Sequence, residues 1–436
     1  MIERMRETFR GLPDVRKGGN NQRYTLEDAA LGAFAVFFTQ SPSFLDYQVR
    51  MRKQRGGDNA KSLFGIERIP CDQQIRNLLD PVAPECLYPL LMGTVEALYR
   101  LGELETHRVL AERFLVALDG TQYFSSAALS CPGCSTRKLA NGTIQHVHAV
   151  VTPVLVAPGQ AAVFPLPPEF IVPQDGHDKQ DCELAAGTRW LRQWGARIAP
   201  WNVTFLGDDL YCHQPFCQQV LAHGGQFLFV CLPQSHPTLY EWVADFQRNG
   251  DVPAVVQTRW NGKQRLTDTY RYLNQLPLRD SDDALLVDWC ELTTTDANGK
   301  VLYRNAWASS HPIGAATVVA IAAAGRSRWK IENENNNTLK TKGDHVEHNY
   351  GHGEQHLSAV LATLILLAFL LHTVLDRLDR RYRAVRAQLP SRYTFFEHLR
   401  ALVQYLPFET WDALFDFMLA ALVSAPPKAK IRPKTG

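Results

Sequence analysis

The sequence lacks several features that would place it in a special class of protein. Its first residues, MIERMRETFR, are charged and contain no apolar segment, which argues against export and predicts a cytoplasmic protein. Cysteine is scarce, with 9 in 436 residues, so reduced thiols, with room for one metal site, are expected rather than a disulfide framework. Neither sign of charge is in large excess, because the formal net charge is only +2. Charge therefore indicates a partner only where it is clustered.

The composition is that of a soluble globular protein, with 45% hydrophobic and 21% charged residues. One apolar run, LSAVLATLILLAFLLHTVL from Leu357 to Leu375, is nearly long enough to span a bilayer. It has no Trp or Tyr belt and contains His372 near its end, so it is predicted to be a buried core helix and not a membrane contact. A membrane-anchored protein is the alternative.

Basic residues are concentrated in two stretches. Six Lys or Arg lie between Arg50 and Arg68, among them Arg52 and Arg55, and seven Arg lie between Asp376 and Arg400. Such patches suit a phosphate backbone, although a solvated helix face has the same composition. We treat Arg50, Arg52 and Arg55 as candidate DNA contacts.

The chain contains no internal repeat and no low-complexity stretch. Its regions are therefore divided where the spacing of apolar residues changes. Residues 1–105 are predicted to be helical, and Asp72 is the expected N-cap of a helix in IPCDQQIRNLLD. This region suits a helix-turn-helix-like DNA-binding domain or an ordinary small helical domain.

Strand periodicity begins near residue 106 and predicts an α/β sheet with both faces covered. The first part of this core is predicted over 106–250, a β-rich insertion over 251–311 and a helical continuation of the core over 312–356. Residues 357–436 form the predicted helical C-terminal region, which ends in a tail, PPKAKIRPKTG, expected to be disordered.

Two apolar runs end in aspartate. Asp119 follows FLVAL, and Asp208 and Asp209 follow VTFLG. Neighbours on a strand point to opposite faces, so only one of Asp208 and Asp209 can share a site with Asp119, and we favour Asp208. Asp119 could also be only a turn residue before glycine. Carboxylates at the ends of adjacent strands would suit two divalent ions, Mg²⁺ or Mn²⁺.

A later helix offers a third carboxylate. At about 100° per residue, Arg328, Glu332 and Asn336 share one face, whereas Glu334 lies about 200° from Glu332. One acid, one Arg and an amide suit metal and phosphate contacts, although a solvated Arg and Glu pair would read the same way.

Three short motifs resemble those of DDE transposases from bacterial insertion sequences, in the group with a β-strand insertion before the glutamate. They are LDG, GDDLY and RWKIEN, and they cover about Asp119 to Lys340. The resemblance implies an RNase H-like core and metal ligation by Asp119, Asp208 and Glu332. Asp208 is preferred there because Asp208 to Tyr211 matches the family's D-x-x-Y.

The third motif departs from the family pattern in two places. The family has Tyr, two residues, Arg, three residues, Glu, six residues and Lys. Arg328 and Glu332 match, but Gly325 stands at the Tyr position and Leu339 at the Lys position, with Lys340 one place later. We treat Arg328, Asn336 and Lys340 as candidate DNA contacts, Asn336 because it shares the helix face and Lys340 because it lies one place beyond the family's lysine.

A last cluster consists of Cys131 and Cys134 in CPGC, followed by His146 and His148. These residue types are zinc ligands, although the H-x-H spacing is not that of a standard zinc finger.

Together these features predict a transposase that uses metal ions to cleave transposon ends. It would join the cleaved ends to target DNA and form a homo-oligomer on DNA. The alternative is a catalytically inactive, transposase-derived DNA-binding protein.

Overall fold

The computed structural model describes residues 2–16, 22–52, 56–173, 179–348 and 350–423, with backbone only for 179–182. The chain divides into two compact units, one formed by Met1–Leu90 with Thr338–Gly436 and the other by Leu91–Asn337. The predicted N- and C-terminal helical regions thus contribute to the same unit. Arg55 and the C-terminal tail lie outside the described residues.

Helices occupy both units. The α-helices of the described residues are α1 Ile2–Arg10, α2 Leu26–Phe38, α3 Phe44–Arg52, α4 Gly56–Phe64, α5 Asp72–Leu79, α6 Tyr88–Arg100, α7 Lys179–Ile198, α8 Gln214–Ala222, α9 Pro237–Asn249, α10 Val318–Arg326, α11 Asn337–Thr341, α12 Leu357–Leu378, α13 Arg380–Gln388, α14 Arg392–Tyr405 and α15 Trp411–Val423.

All the described strands lie in the unit Leu91–Asn337. They are β1 Phe114–Ala117, β2 Gly120–Ser126, β3 Ser135–Lys138, β4 Ile144–Val151, β5 Val154–Val156, β6 Phe164–Pro165, β7 Glu169–Ile171, β8 Val203–Gly207, β9 Gln226–Val230, β10 Ala254–Trp260, β11 Arg265–Pro277, β12 Leu286–Thr295 and β13 Val301–Ser309.

A nine-stranded mixed sheet forms the centre of this unit, in the order β10-β11-β12-β13-β9-β8-β1-β5-β6. The pairs β1 with β8 and β8 with β9 are parallel, whereas the other neighbours are antiparallel. Strands β1 and β8 are continuous, fully buried apolar runs, which is typical of parallel strands covered on both faces. The predicted α/β class is confirmed.

The predicted β-rich insertion does not form a sheet of its own. Its four strands, β10 to β13, extend the central sheet, because β13 pairs with β9 through Trp307 and Val230. A smaller second sheet contains β2, β4 and β3 in that order, with β7 also paired to β4. Strand β2 begins at Gly120, directly after Asp119, so the small sheet grows out of the end of β1.

The helical unit is built around α2, which is buried along nearly its whole length, and α12, which is buried from Val360 to His372. The hydroxyl of Thr25 caps α2 by accepting a hydrogen bond from the backbone N–H of Asp28, and the His372 ring on α12 stacks on Phe38 of α2 at 4.2 Å. Helix α12 is the one helix of the described residues that is long and apolar enough to cross a membrane, yet 83% of its apolar window is buried. This burial is what the core-helix prediction requires.

Two details of the sequence prediction are wrong. Cys71, not Asp72, is the N-cap of α5, and it makes no side-chain capping bond. The sequence also predicts a helix that ends at Gly195, whereas α7 continues to Ile198; a β-carbon on Gly195 would lie 2.8 Å from the His223 ring.

Candidate active site

Parallel pairing of β1 and β8 sets two aspartates side by side. Ala117 of β1 pairs with Leu206 of β8, and Asp119 and Asp208 each lie two residues further along. Adjacent strands are separated by about 4.8 Å, so the two side chains emerge next to each other at the carboxyl edge of the sheet. The parallel register therefore places Asp119 and Asp208 at equivalent positions on neighbouring strands.

Glu332 approaches the same edge from a π-helical turn, Ile331–Asn336. Arg328 binds its carboxylate at 2.6 Å, and the Glu332 side chain is 47% exposed. Four residues later, Nδ2 of Asn336 donates a hydrogen bond of 3.1 Å to Oδ2 of Asp119. This bond joins the helix to the end of β1. The expected regular α-helix is absent here, and the wider turn is of a kind often found at functional sites.

A fourth carboxylate, Glu183 of α7, lies beside this cluster. Its side chain is buried, and a β-carbon on Gly120 would lie 2.6 Å from its Oε1 atom. Glycine after Asp119 therefore leaves the space that the Glu183 carboxyl group occupies. We did not predict Glu183 from the sequence, although it falls on the same helical stripe as Ala186, Gly187 and Trp190, and an acid on an apolar stripe is a usable signal.

Asp119 is the electrostatic centre of the cluster. Burial raises the pKa of its carboxyl group to about 7; Arg328 opposes the shift, while the negative charges of Glu183, Glu332 and Asp208 add to it. Since a nearby like charge disfavours ionisation, the shift reports that acids from three other elements lie close to Asp119.

Tyr211 lies against the same acids. Its ring folds back over Gly207, where a β-carbon would lie 2.8 Å from Cδ2 of the ring. Burial raises the pKa of the Tyr211 hydroxyl well above its usual value, and Glu183 and Asp208 raise it further. The hydroxyl is buried and finds no hydrogen-bond partner in the part of the chain that the structure describes. It is thus a neutral donor beside a group of carboxylates.

These donors fit a divalent cation. Carboxylate oxygens are the ligands that Mg²⁺ and Mn²⁺ prefer, and a bound cation would offset the repulsion that raises the pKa of Asp119. The orphaned Tyr211 hydroxyl could bond to a water in the hydration shell of such an ion.

Asp209 has a different environment from Asp208. Its carboxylate accepts hydrogen bonds from the backbone N–H of Leu232 at 2.7 Å and from the hydroxyl of Ser235, and it lies 3.4 Å from Nε2 of His236. Burial would raise its pKa, but the bonds from His236 and Ser235 hold the pKa of Asp209 below its usual value. Asp208 instead accepts from the N–H of Leu210 at 3.1 Å.

Behind Asp209 lies a buried group of Cys212, Cys231 and His236, whose donor atoms lie within 4.8 Å of one another. Burial lowers the pKa of His236, but Asp209 and Cys212 outweigh it and raise the pKa to about 10. The imidazole is therefore charged at neutral pH and forms an ion pair with Asp209. No regular spacing in the sequence reveals this group.

The CPGC turn brings together three of its four predicted zinc ligands. Cys131 Sγ lies 3.9 Å from Cys134 Sγ, and Nε2 of His148 lies 3.5 Å from the first sulfur and 3.4 Å from the second. His146 is not part of this group, because β4 pairs it with Thr136 and Ser126 further along the hairpin.

The predicted basic DNA contacts are engaged within the helical unit. Arg50 binds Asp46 at 2.8 Å and Gln404 at 3.1 Å, and Arg52 donates to the carbonyl of Ile69. Lys340 binds Glu347 at 2.8 Å. Binding DNA through these side chains would require exchanging these contacts for phosphates.

No family model and no curated protein matches the chain. Among solved structures, the chain is similar to a piggyBac transposase in a synaptic complex with hairpin DNA, determined by cryo-electron microscopy. The identity is 9%, the TM-score is 0.39, and the match covers 99% of this chain and 79% of that one. A TM-score this low supports no assignment on its own.

Proposed function

We propose that the chain is a metal-dependent DNA transposase with an RNase H-like core, in which Asp119, Asp208 and Glu332 are the catalytic carboxylates. It would cleave DNA at transposon ends and join the freed 3′-hydroxyl groups to target DNA. The observation that supports this best is the convergence of acids from β1, β8 and the π-helical turn at one edge of a mixed sheet, with Asn336 hydrogen-bonded to Asp119.

The roles of the protein groups follow from their positions. Asp119 and Asp208 emerge from rigid, buried strands, so they provide fixed ligand positions. Glu332 is more exposed, and Arg328 orients its carboxylate. Asn336 donates to Oδ2 of Asp119 and so fixes the orientation of the Asp119 carboxylate.

The carboxylates would hold one or two Mg²⁺ or Mn²⁺ ions, which neutralise charge on the attacking and leaving oxygens of phosphodiester transfer. Because the pKa of Asp119 is raised to about 7, a bound cation would favour its ionised form at neutral pH. DNA and a second copy of the chain are the proposed partners, since joining two transposon ends requires two sites. Contacts to phosphates are proposed for Arg328, Asn336 and Lys340, with Arg50, Arg52 and Arg55 in the helical unit.

The test uses the purified chain and DNA carrying the sequences that flank its gene. With Mg²⁺ or Mn²⁺ the protein should nick this DNA, and the variants Asp119→Asn, Asp208→Asn and Glu332→Gln should each lose at least about 10³-fold in rate. Each variant keeps the size of the side chain, so the fold and the DNA affinity should change little.

Glu334→Gln is the matched control, because Glu334 lies in the same π-helical turn but is not among the charges that act on Asp119. It should retain most activity. If the three principal variants cut as fast as the unchanged protein, the proposal is wrong. DNA binding without metal-dependent cleavage in the unchanged protein would favour the alternative, an inactive transposase-derived DNA-binding protein.

A further inference from the structure

We propose that Cys131, Cys134 and His148 bind one structural zinc ion that fastens the loop between β2 and β3 to strand β4. The site is separate from the carboxylate cluster, and it does not depend on the proposed transposase activity.

The distances between the three donor atoms match those of a tetrahedral zinc site. With Zn–S bonds of about 2.3 Å and Zn–N bonds of about 2.05 Å, tetrahedral angles place two sulfurs about 3.8 Å apart and sulfur and nitrogen about 3.5 Å apart. The observed separations are 3.9 Å between the sulfurs and 3.5 and 3.4 Å from the sulfurs to Nε2 of His148. All three edges of one tetrahedral face are therefore already formed.

The local backbone has the form of a ligand turn. The N–H of Cys134 donates to the carbonyl of Cys131 at 3.0 Å, which closes the CPGC turn and directs both sulfurs to one side. Cys134 and His148 are each 8% exposed. The His148 ring is held between Tyr123, at a centroid distance of 5.8 Å, and Phe124, at 5.6 Å. The imidazole is thus oriented before any ion binds.

The loop at this end of the small sheet is exposed. Residues 127–130 are exposed and belong to no helix or strand, and Ile144 at the start of β4 is 56% exposed. The apolar cluster of the small sheet, Val151, Ile171 and Ala186, packs at the other end of β4. A metal ion that joins the loop to β4 would stabilise this end of the sheet.

The second Cys and His group, Cys212, Cys231 and His236, is the rival location for a zinc ion. There Nε2 of His236 lies 3.4 Å from Oδ1 of Asp209, so an ion pair with a carboxylate already engages this imidazole. At the CPGC turn, the two sulfurs and Nε2 of His148 lie at the separations of a tetrahedral zinc site. The geometry therefore favours the first group.

The experiment measures zinc in the full chain, purified under reducing conditions and dialysed against metal-free buffer. We expect one zinc per chain in the unchanged protein, and none in Cys131→Ser, Cys134→Ser or His148→Ala. X-ray absorption at the zinc edge should show two sulfur donors, with the remaining donors nitrogen or oxygen. His146→Ala is the matched control from the same strand, and it should retain the zinc, as should Cys231→Ser from the rival group.

A variant could also lose zinc because it misfolds, so two further measurements use the unchanged protein. Treatment with a strong chelator should expose two additional reactive thiols, and cobalt added in place of zinc should give the intense visible bands of a tetrahedral site with thiolate ligands. The proposal is overturned if the reduced protein contains no zinc, if zinc persists in both cysteine variants, if Cys231→Ser removes it, or if mass spectrometry finds a Cys131–Cys134 disulfide in place of a metal.

Discussion

The carboxyl group of Glu183 fills the space beside Gly120 that any side chain at position 120 would need, since a β-carbon there would lie 2.6 Å from Oε1 and 2.8 Å from Cγ of Glu183. Gly120 follows Asp119 directly. The requirement for glycine after the first aspartate is therefore steric, and it depends on an acid contributed by another element.

Gly120→Ala should displace Glu183 and, with it, the electrostatic environment of Asp119. We expect a loss of about 1–3 kcal/mol in the free energy of unfolding, as for other overpacking changes, and at least a tenfold loss in cleavage rate. Gly314→Ala is the matched control, because a β-carbon there meets nothing within 4 Å. Denaturant unfolding and nicking assays on both variants would check this, and equal behaviour would show that the Glu183 contact is unimportant.

Glu183→Gln tests the charge of this acid without changing its size. Its negative charge adds to the raised pKa of Asp119, so its removal should shift the acidic midpoint of the rate profile to lower pH. A slower maximal rate is also expected if Glu183 helps to hold the metal ions. If Glu183 had only a structural role, the midpoint would not change. A pH profile of DNA nicking distinguishes the electrostatic role from the structural one.

Asp208 and Asp209 should respond differently to the same substitution. Asp208→Asn keeps an oxygen that can accept from the N–H of Leu210, so it should lose cleavage while remaining stable. Asp209→Asn removes the charge that pairs with His236 and should cost about 1–3 kcal/mol of stability, yet retain cleavage below its unfolding temperature. The opposite pattern would assign the catalytic role to Asp209.

The metal-free protein should become less stable as the pH rises from about 4 to about 7. The native Asp119 carboxyl group has a pKa of about 7, against about 3.9 in the unfolded chain, so the native state binds the proton more tightly. The stabilisation from this proton is complete below the pKa of the unfolded chain and is lost as the pH rises to the pKa of the native state. Its magnitude is at most on the order of 4 kcal/mol.

Thermal unfolding in the presence of a chelator at pH 5 and pH 8 measures this effect. Asp119→Asn should show a smaller difference between the two pH values, because its amide does not titrate. Added Mg²⁺ should raise the unfolding temperature of the unchanged protein at pH 8 and have less effect on the variant. An identical pH dependence in both proteins would contradict the raised pKa.

Helix α12 should not hold the protein in a membrane, because its apolar side chains are already buried among other helices. The expressed chain should be recovered in the supernatant without detergent. Recovery only in membranes that resist high salt would show that this helix has a lipid partner.

The sequence predicted those parts of the fold that depend on continuous apolar runs. FLVAL and VTFLG are predicted strands, and the aspartates that follow them are candidate site residues without any knowledge of the strand register. Strand β2 was missed, because GTQYFSS has one exposed and several half-buried positions and pairs only through β4. Only Leu118 and Asp119 separate its first residue, Gly120, from the end of β1.

The sequence identifies the acids that follow a recognisable strand or lie on a recognisable helix face. Glu183 was missed because its role depends on packing against Gly120, more than sixty positions away in the sequence. The π-helical turn was also missed, since residues 331–336 give no local signal that separates it from an α-helix. The choice of Asp119, Asp208 and Glu332 as catalytic residues stays a prediction until the variants are assayed.

The wide turn at Ile331–Asn336 changes how the spacing of the third motif should be counted. A turn closed by bonds from residue i to i+5 contains one residue more than an α-helical turn, so a helix can absorb a one-residue insertion there without breaking. Lysine in this chain stands one place beyond the position that the transposase pattern gives it, with Leu339 at that position and Lys340 after it. The lysine is displaced by one residue, and the π-helical turn contains one residue more than an α-helical turn. Both features lie in the same stretch of helix. Under the proposed function, a motif search with fixed spacing would miss this chain, because the π-helical turn accommodates the one-residue offset.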